Sequence, residues 1–260
     1  MAGKDSVKSI RLADGSILKL ECVDSVESVA ALAKSYANSG YANKYVVFTE
    51  HQTGPCPIKA AGDSTHGIYM SCILNPSFFP SQAGLLAPLA TVAMLNALEE
   101  HTDKELGIGW LSDVYCNNKK IGNVSIEGKL DSFSSYEYMI VSFYVALDES
   151  NFPPRLGDMI KKVFEPGNDS IAMIIAKTIL HKFFAAYASL KNPKKYMDTY
   201  ARRFILTDKK IKYIKDGKKH SCRVVGIDKD TCSMTVDIGR GELLKITSPS
   251  SVVIPNRIHR

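Results

Sequence analysis

The segment "SQAGLLAPLATVAMLNALEEHT", positions 81 to 102, is apolar on nearly every side of a helix. A surface helix carries an apolar stripe on one side only, so a helix of this kind has to be covered by other layers. No run in the chain approaches the ~18 apolar residues of a membrane span, which makes the segment a buried helix packed across a sheet. Pro88 either lies near its start or kinks it. A second long helix follows in "DSIAMIIAKTILHKFFAAYASL", opened by Asp169 or Ser170 and carrying Ile171, Ile174, Ile175, Ile179, Phe183, Ala186 and Leu190 at helical spacing. A third precedes both: Val26, Val29, Ala30, Ala33 and Ala37 recur helically, Asp24 is placed to cap the free amides with Glu27 three residues on, and Gly40 ends the segment.

Between the helices lie strand-like runs. "KYVVFTE" and "HGIYMSCILNP" flank a Gly/Pro-punctuated loop, Gly54 to Gly67, that has no periodicity and is long enough to suspect a function. "KKIGNVSIEGKLD" and "YEYMIVSFYVALD", divided by the turn "SFSS", predict an antiparallel pair. Strands and helices in this mixed order predict an α+β fold with a mixed sheet flanked by helices. After "KNPKKYMDTYARRF" the texture changes to about five short strands, broken at Asp216-Gly217, at Gly226 to Asp230 and at Gly239 to Gly241. Regular spacing of this kind predicts an SH3-like β-barrel, so the chain divides near residue 205, into 1–205 and 206–260.

With 260 residues, 45% of them hydrophobic, the chain is long enough for one large domain or one plus a small appendage. The net charge of +6 would suit a polyanion, but the excess is local, gathered in Lys191, Lys194, Lys195, Arg202, Arg203, Lys209, Lys210, Lys212, Lys215, Lys218 and Lys219. "PKKYMDTYARRF" mixes basic and aromatic residues without any recognition motif and reads as a charged interdomain linker, so no nucleic-acid partner is expected. Six scattered cysteines, without a CxxC pair, read as reduced thiols. The opening "MAGKDSVKSIRLADGS" has no apolar targeting segment, so a cytoplasmic chain with no membrane partner is expected, a monomer or homodimer.

The residues alone nominate little chemistry. There is no G-x-S-x-G elbow, P-loop or H-E-x-x-H helix, and the six histidines read as surface or loop residues. Lys119 and Lys120 stand out because they follow a hairpin turn and enter an apolar strand. A lysine fixed at a strand start can hold a phosphate or carboxylate as a point charge. A solvated hairpin tip is the plainer account of the pair.

The order of segments resembles that of the biotin protein ligases. The resemblance is carried by "VDSVES" before a helix, "TEHQTG" ending a strand, "GIYMSCIL", the alanine-rich helix, "WLSDVYCNNKKIGNVSIE", a strand running to "NFPPRL", a long helix, and "VVGIDKDTCSMTVDIGRGELLKITSPSSVV". It spans about Cys22 to Val253. Its most specific parts are the tryptophan-to-lysine hairpin, similar to the family's W-P-N-D-I/L-Y and K-I/L-x-G, and the final segment, similar to its SH3-like cap. The resemblance implies a class II aminoacyl-tRNA synthetase-like catalytic domain. It implies an enzyme that makes biotinoyl-5′-AMP from biotin and MgATP and passes biotin to a lysine in the acceptor domain of a carboxylase. On this reading Lys120 meets the carboxylate and phosphate region, while Lys119 faces solvent. Ser25, Gln52, Gly54 and Gly122 line the biotin side, and Trp110, Asp113 and Asn123 the nucleotide side.

Several positions depart from the family pattern. The Arg/Gly-rich loop after Gln52 is replaced by "TGPCPIKAAGDSTHG", which is shorter and has no arginine; Lys59 is its only cation and the expected substitute, helped by the amides of Gly54 and Gly62 and by Mg²⁺. The family's S-T-N is Ser25-Val26-Glu27, its W-P-N-D is Trp110-Leu111-Ser112-Asp113, and Asn123, Ser142 and Tyr144 stand where glycines are expected. Two other outcomes are therefore carried forward: a binding or regulatory module that keeps the fold without adenylation, and a lipoyl or octanoyl transferase of the same superfamily. Cys56 or Cys72 as an acyl-carrying nucleophile is weighed against a small buried cysteine, the commoner case.

Overall fold

The computed structural model describes residues 6–41, 43–58, 66–147, 169–255 and 258. Lys59, Gly62 and the "NFPPRL" strand lie outside the described residues. The larger sheet has eight strands in the order β1-β2-β3-β4-β8-β7-β6-β5. They are β1 (Ser6–Arg11), β2 (Ile17–Cys22), β3 (Tyr45–His51), β4 (His66–Leu74), β5 (Leu106–Ile108), β6 (Asp113–Cys116), β7 (Lys119–Leu130) and β8 (Tyr136–Ala146). β2 and β3 are parallel and the other neighbours antiparallel, so the sheet is mixed as expected. Parallel neighbours need a crossover; helix α1 (Val29–Asn38) supplies it.

Alternation along the central strands splits the core in two. Val46, Phe48, Met70, Cys72, Val141, Phe143 and Val145 face one side, where they meet α2 (Leu86–Glu99) and α3 (Ile171–Tyr187). Val47, Tyr69, Ile73, Tyr138, Ile140 and Tyr144 face the other, under Val29 and Ala33 of α1. Buried on both faces, these strands read as near-continuous apolar runs. Helix α2 is buried nearly all round because the sheet covers one flank, while α3 and a further helix, α4 (Lys194–Arg203), pack against it. A 3-10 turn over Pro80–Leu85 leads into α2, which places Pro88 in the first helical turn, where amides have no intrahelical acceptor.

Three details differ from the sequence reading. Asp24 does not cap α1. Val26 bridges Gln52 in parallel and holds the chain extended, so the helix starts later and Ser28 Oγ accepts the Ala31 N–H at 3.2 Å. The charged "linker" is helix α4, which buries Tyr196, Met197 and Tyr200. The β1–β2 hairpin at the amino-terminal edge was not anticipated. Ser170 rather than Asp169 caps α3, accepting the Met173 N–H, while Asp169 bridges Lys8 and Lys177.

The second sheet has five antiparallel strands in the order β12-β11-β10-β9-β13. These are β9 (Lys210–Lys215), β10 (Lys218–Ile227), β11 (Met234–Asp237), β12 (Leu243–Ile246) and β13 (Val252–Val253). Its core of Leu206, Ile211, Tyr213, Val224, Met234, Val236 and Ile246 also takes in Trp110 and Tyr115, from the segment between β5 and β7. All six cysteines are free thiols, and among the described residues no helix is long and apolar enough to cross a membrane.

Candidate active site

Strands β6 and β7 form a tight hairpin whose turn residues, Asn117 and Asn118, both have positive φ (49° and 64°). A two-residue turn of this hand matches the twist of the strands, and asparagine tolerates the conformation. A register shift between Val114 and Tyr115 then turns Lys120 inward while Lys119 stays exposed. Lys120 Nζ lies 2.7 Å from Asp113 Oδ1, with side-chain exposures of 11% and 14%. The same oxygen accepts Asn123 Nδ2 at 2.7 Å, and that amide also donates to Ser112 Oγ at 3.1 Å. An ammonium has three donors, and Asp113 takes one. The rest suit an incoming carboxylate or phosphate oxygen.

The approach to this hairpin is held from two sides. Leu111 adopts φ 67°, a conformation that a bulky side chain rarely takes. Its N–H donates to the Tyr200 hydroxyl at 2.6 Å, that hydroxyl donates to the Gly109 carbonyl at 2.9 Å, and the Leu111 carbonyl, 3.0 Å from Thr91 Oγ1, shares the one proton of the threonine hydroxyl with the Ala87 carbonyl at 2.8 Å. Burial pushes the Tyr200 phenol well above its ordinary pKa, so it stays protonated and able to donate. Tyr200 and Thr91 carried no signal of this in the sequence, because their partners lie far away along the chain.

The other expected site residues are mostly engaged by the protein itself. Gln52, 1% exposed, accepts the Val29 N–H at 3.0 Å and donates to the Pro55 carbonyl at 3.2 Å. It therefore joins Ser28 in capping α1. The Gly54 N–H donates to the Glu27 carbonyl at 2.9 Å, and a Cβ there would lie 2.5 Å from that oxygen, so close backbone approach requires glycine. A Cβ on Gly122 would meet Met94 of α2 at 3.1 Å, which points to packing on the opposite side of the sheet. Ser25 is exposed and donates to the His51 carbonyl at 3.2 Å. Trp110, expected on the nucleotide side, is 3% exposed; its Nε1–H donates to the Cys232 carbonyl at 2.8 Å and its ring lies in the core of the second sheet.

Register places Asp113, Asn123, Tyr144, Tyr69 and Thr49 in one row across the α1 side of the sheet. The next row contains Ser142 and Ser71, whose hydroxyls meet at 2.7 Å. Tyr69 and Tyr144 pack edge to face and fill the surface between Lys120 and α1. Burial pushes the Tyr69 phenol up to about 12 and raises that of Tyr144, where the Ser142 hydroxyl opposes the shift. Ser142 and Tyr144 were visible in the sequence as departures from glycine, whereas Tyr69 was not singled out. Other lysines near this side are paired, Lys34 with Glu127 at 3.3 Å and Lys129 with Glu137 at 2.5 Å. The described residues therefore fit one carboxylate or phosphate oxygen at Lys120. They do not gather the several uncompensated cations that would fit a triphosphate.

No protein-family model matches this sequence, and no curated protein matches it. Solved structures do match. A biotin protein ligase from Aquifex aeolicus in complex with biotin and ATP is 18% identical over 90% of this chain and 97% of that one, with a TM-score of 0.65. A biotin protein ligase-like protein of unknown function from a Silicibacter species is 14% identical over 88% and 94%, with a TM-score of 0.62. The Leishmania major biotin protein ligase in complex with biotinyl-5-AMP is 16% identical over 88% and 98%, with a TM-score of 0.52. This chain has the fold of the biotin protein ligases.

Proposed function

We propose that this chain works as a biotin protein ligase-type protein in which Lys120 receives the carboxylate of a biotin-like acid or the phosphate of its activated form. The observation that carries the reading is the lysine itself: one cation, nearly buried, oriented by Asp113 and with donors to spare, on a hairpin fixed from two sides. In the full ligase reaction the biotin carboxylate attacks the α-phosphate of MgATP and pyrophosphate leaves, giving biotinoyl-5′-AMP; the amine of a carrier-domain lysine of a carboxylase then takes the acyl group and AMP is released. The part of Lys120 is to hold the acid's oxygen as negative charges approach one another. Asp113 keeps the ammonium pointed at the sheet face, and Asn123 fixes the carboxylate of Asp113. Lys59 is proposed as the loop's contribution.

A second reading, recognition without adenylation, is favoured by the engaged amides of Gln52 and Gly54 and by the tyrosines on the sheet face. One experiment separates the two. Pyrophosphate release on mixing the protein with biotin and MgATP, lost in Lys120→Ala, supports the ligase. Calorimetric binding of biotin, lipoate or octanoate without pyrophosphate supports recognition alone and identifies the acid. If none of the three acids binds, with or without ATP, both readings fall.

A further inference from the structure

Part of the chain's excess positive charge lies on one surface of the second sheet. Across the β9–β10 ladder Lys210 lies directly opposite Arg223, while Lys212 faces Ser221 and Lys219 faces Ile214; the Lys215–Lys218 pair falls on the other side of the strands. Like charges directly opposed on a sheet destabilise it. Ile211, Tyr213, Cys222 and Val224 occupy the buried side of these strands, so by alternation Lys210, Lys212, Lys219 and Arg223 share the solvent side, and each is exposed. Among the described residues none of these four forms an ion pair. Asp237 lies opposite Arg223, but its carboxylate accepts the Gly239 N–H at 2.8 Å. Elsewhere Lys8, Lys34, Lys44, Lys120, Lys129, Lys177 and Lys182 are each paired with a carboxylate.

An anionic partner would relieve this repulsion. We propose that the solvent side of β9 and β10 is a docking surface for an acidic protein. A protein is favoured over nucleic acid because, among the described residues, the solvent side of β9 and β10 offers lysines, a single guanidinium and no aromatic ring on which a base would stack. It carries aliphatic side chains instead: Val253, opposite Lys212, and Leu243, opposite Asp237, are 36% and 61% exposed. They lie on the two edge strands, flanking the charges, and offer a protein partner apolar contact beside them. The second sheet is tied to the candidate active site through the chain that follows its edge strand. Strand β13 pairs with β9, Tyr115 Oη donates to the Pro255 carbonyl at 2.9 Å, and the Ile258 N–H donates to the Asn118 carbonyl at the hairpin tip at 2.9 Å.

The docking surface does not rest on the ligase reading, and its test does not use catalysis. The full chain is titrated into a fluorescent peptide rich in Glu and Leu, and separately into single- and double-stranded DNA, with anisotropy as the readout. The peptide binds at low salt and is released as salt rises. Lys210→Glu combined with Arg223→Glu weakens binding roughly tenfold or more, whereas Lys182→Glu on α3 leaves it unchanged. Lys210→Glu alone sets an opposite charge against Arg223, melts no lower than the parent protein and already weakens binding, so lost binding is not lost folding. The proposal is overturned if the peptide does not bind, if Lys182→Glu weakens it equally, if DNA binds more tightly, or if Lys210→Glu lowers the melting temperature. Pyrophosphate release from biotin and MgATP is the separate readout on which the ligase reading stands or falls.

Discussion

Asp113 and Lys120 are not equivalent members of their pair. The carboxylate keeps the Asn123 amide when the lysine is removed, whereas Asp113 is the acceptor that holds the lysine. Breaking a buried pair costs most when it leaves a charge without compensation. Asp113→Ala should therefore cost about 3 kcal/mol in urea denaturation and Lys120→Met about 1 kcal/mol; equal losses would show that the pair is effectively solvated. Titration gives a second expectation. Burial holds the Tyr69 phenol at about 12 in the folded chain, against an ordinary value of 10 when unfolded. The folded state retains its proton longer, so stability is unaffected below pH 10 and falls as the pH rises from 10 towards 12. At about pH 11 this one phenol removes roughly 1.4 kcal/mol; a Tyr69→Phe variant should lose correspondingly less over that window. At this scale the sequence revealed residue types and their order but not their partners. Lys120 and Asp113 were legible because a tight hairpin brings them together locally, whereas the partners of Gln52 and Trp110 depend on contacts that no spacing rule contains.

The first turn of α1 has two side-chain acceptors, Ser28 Oγ for the Ala31 N–H and Gln52 Oε1 for the Val29 N–H. Ser28→Ala should cost about 1 kcal/mol, as caps usually do. Gln52→Ala leaves a buried donor and a carbonyl without partners and should cost about 2 kcal/mol. Both losses should appear in denaturant melts without any ligand. A Gln52 side chain that served a ligand alone would leave the unliganded stability unchanged, which sinks the capping role. The elements themselves were legible in proportion to how strongly they repeat. Helices α2 and α3 and the β7–β8 pair were readable from long apolar runs. Helix α4 was read as a linker because three buried residues among ten leave its apolar stripe narrow against a basic background. The start of α1 was misplaced because a β-bridge to Gln52, invisible locally, overrides the helical spacing that begins at Val26.

Between the two sheets lies the segment from Gly109 to Lys120, and it belongs to both. Trp110 and Tyr115 insert into the second core, while Val114 and Cys116 of the same segment insert into the first. A division near residue 205 therefore describes the order of strands along the chain better than it describes the cores. Shared burial of large aromatic side chains couples the stability of the two units, so unfolding should be a single transition rather than two. Trp110 is the only tryptophan in the chain and sits at the joint, which makes its fluorescence a probe of the joint alone. Its fluorescence should change at the same denaturant concentration as far-ultraviolet circular dichroism, which reports the whole chain. Trp110→Ala removes the indole and its bond to the Cys232 carbonyl and should cost about 3–5 kcal/mol; the dichroism transition should then broaden or split as the small sheet melts first. Because Lys120 stands ten residues along the same segment, this variant should also weaken acid binding without touching the lysine. If dichroism stays sharp and acid affinity is unchanged, the small sheet is an independent appendage and the hairpin is held by Tyr200 and Thr91 alone.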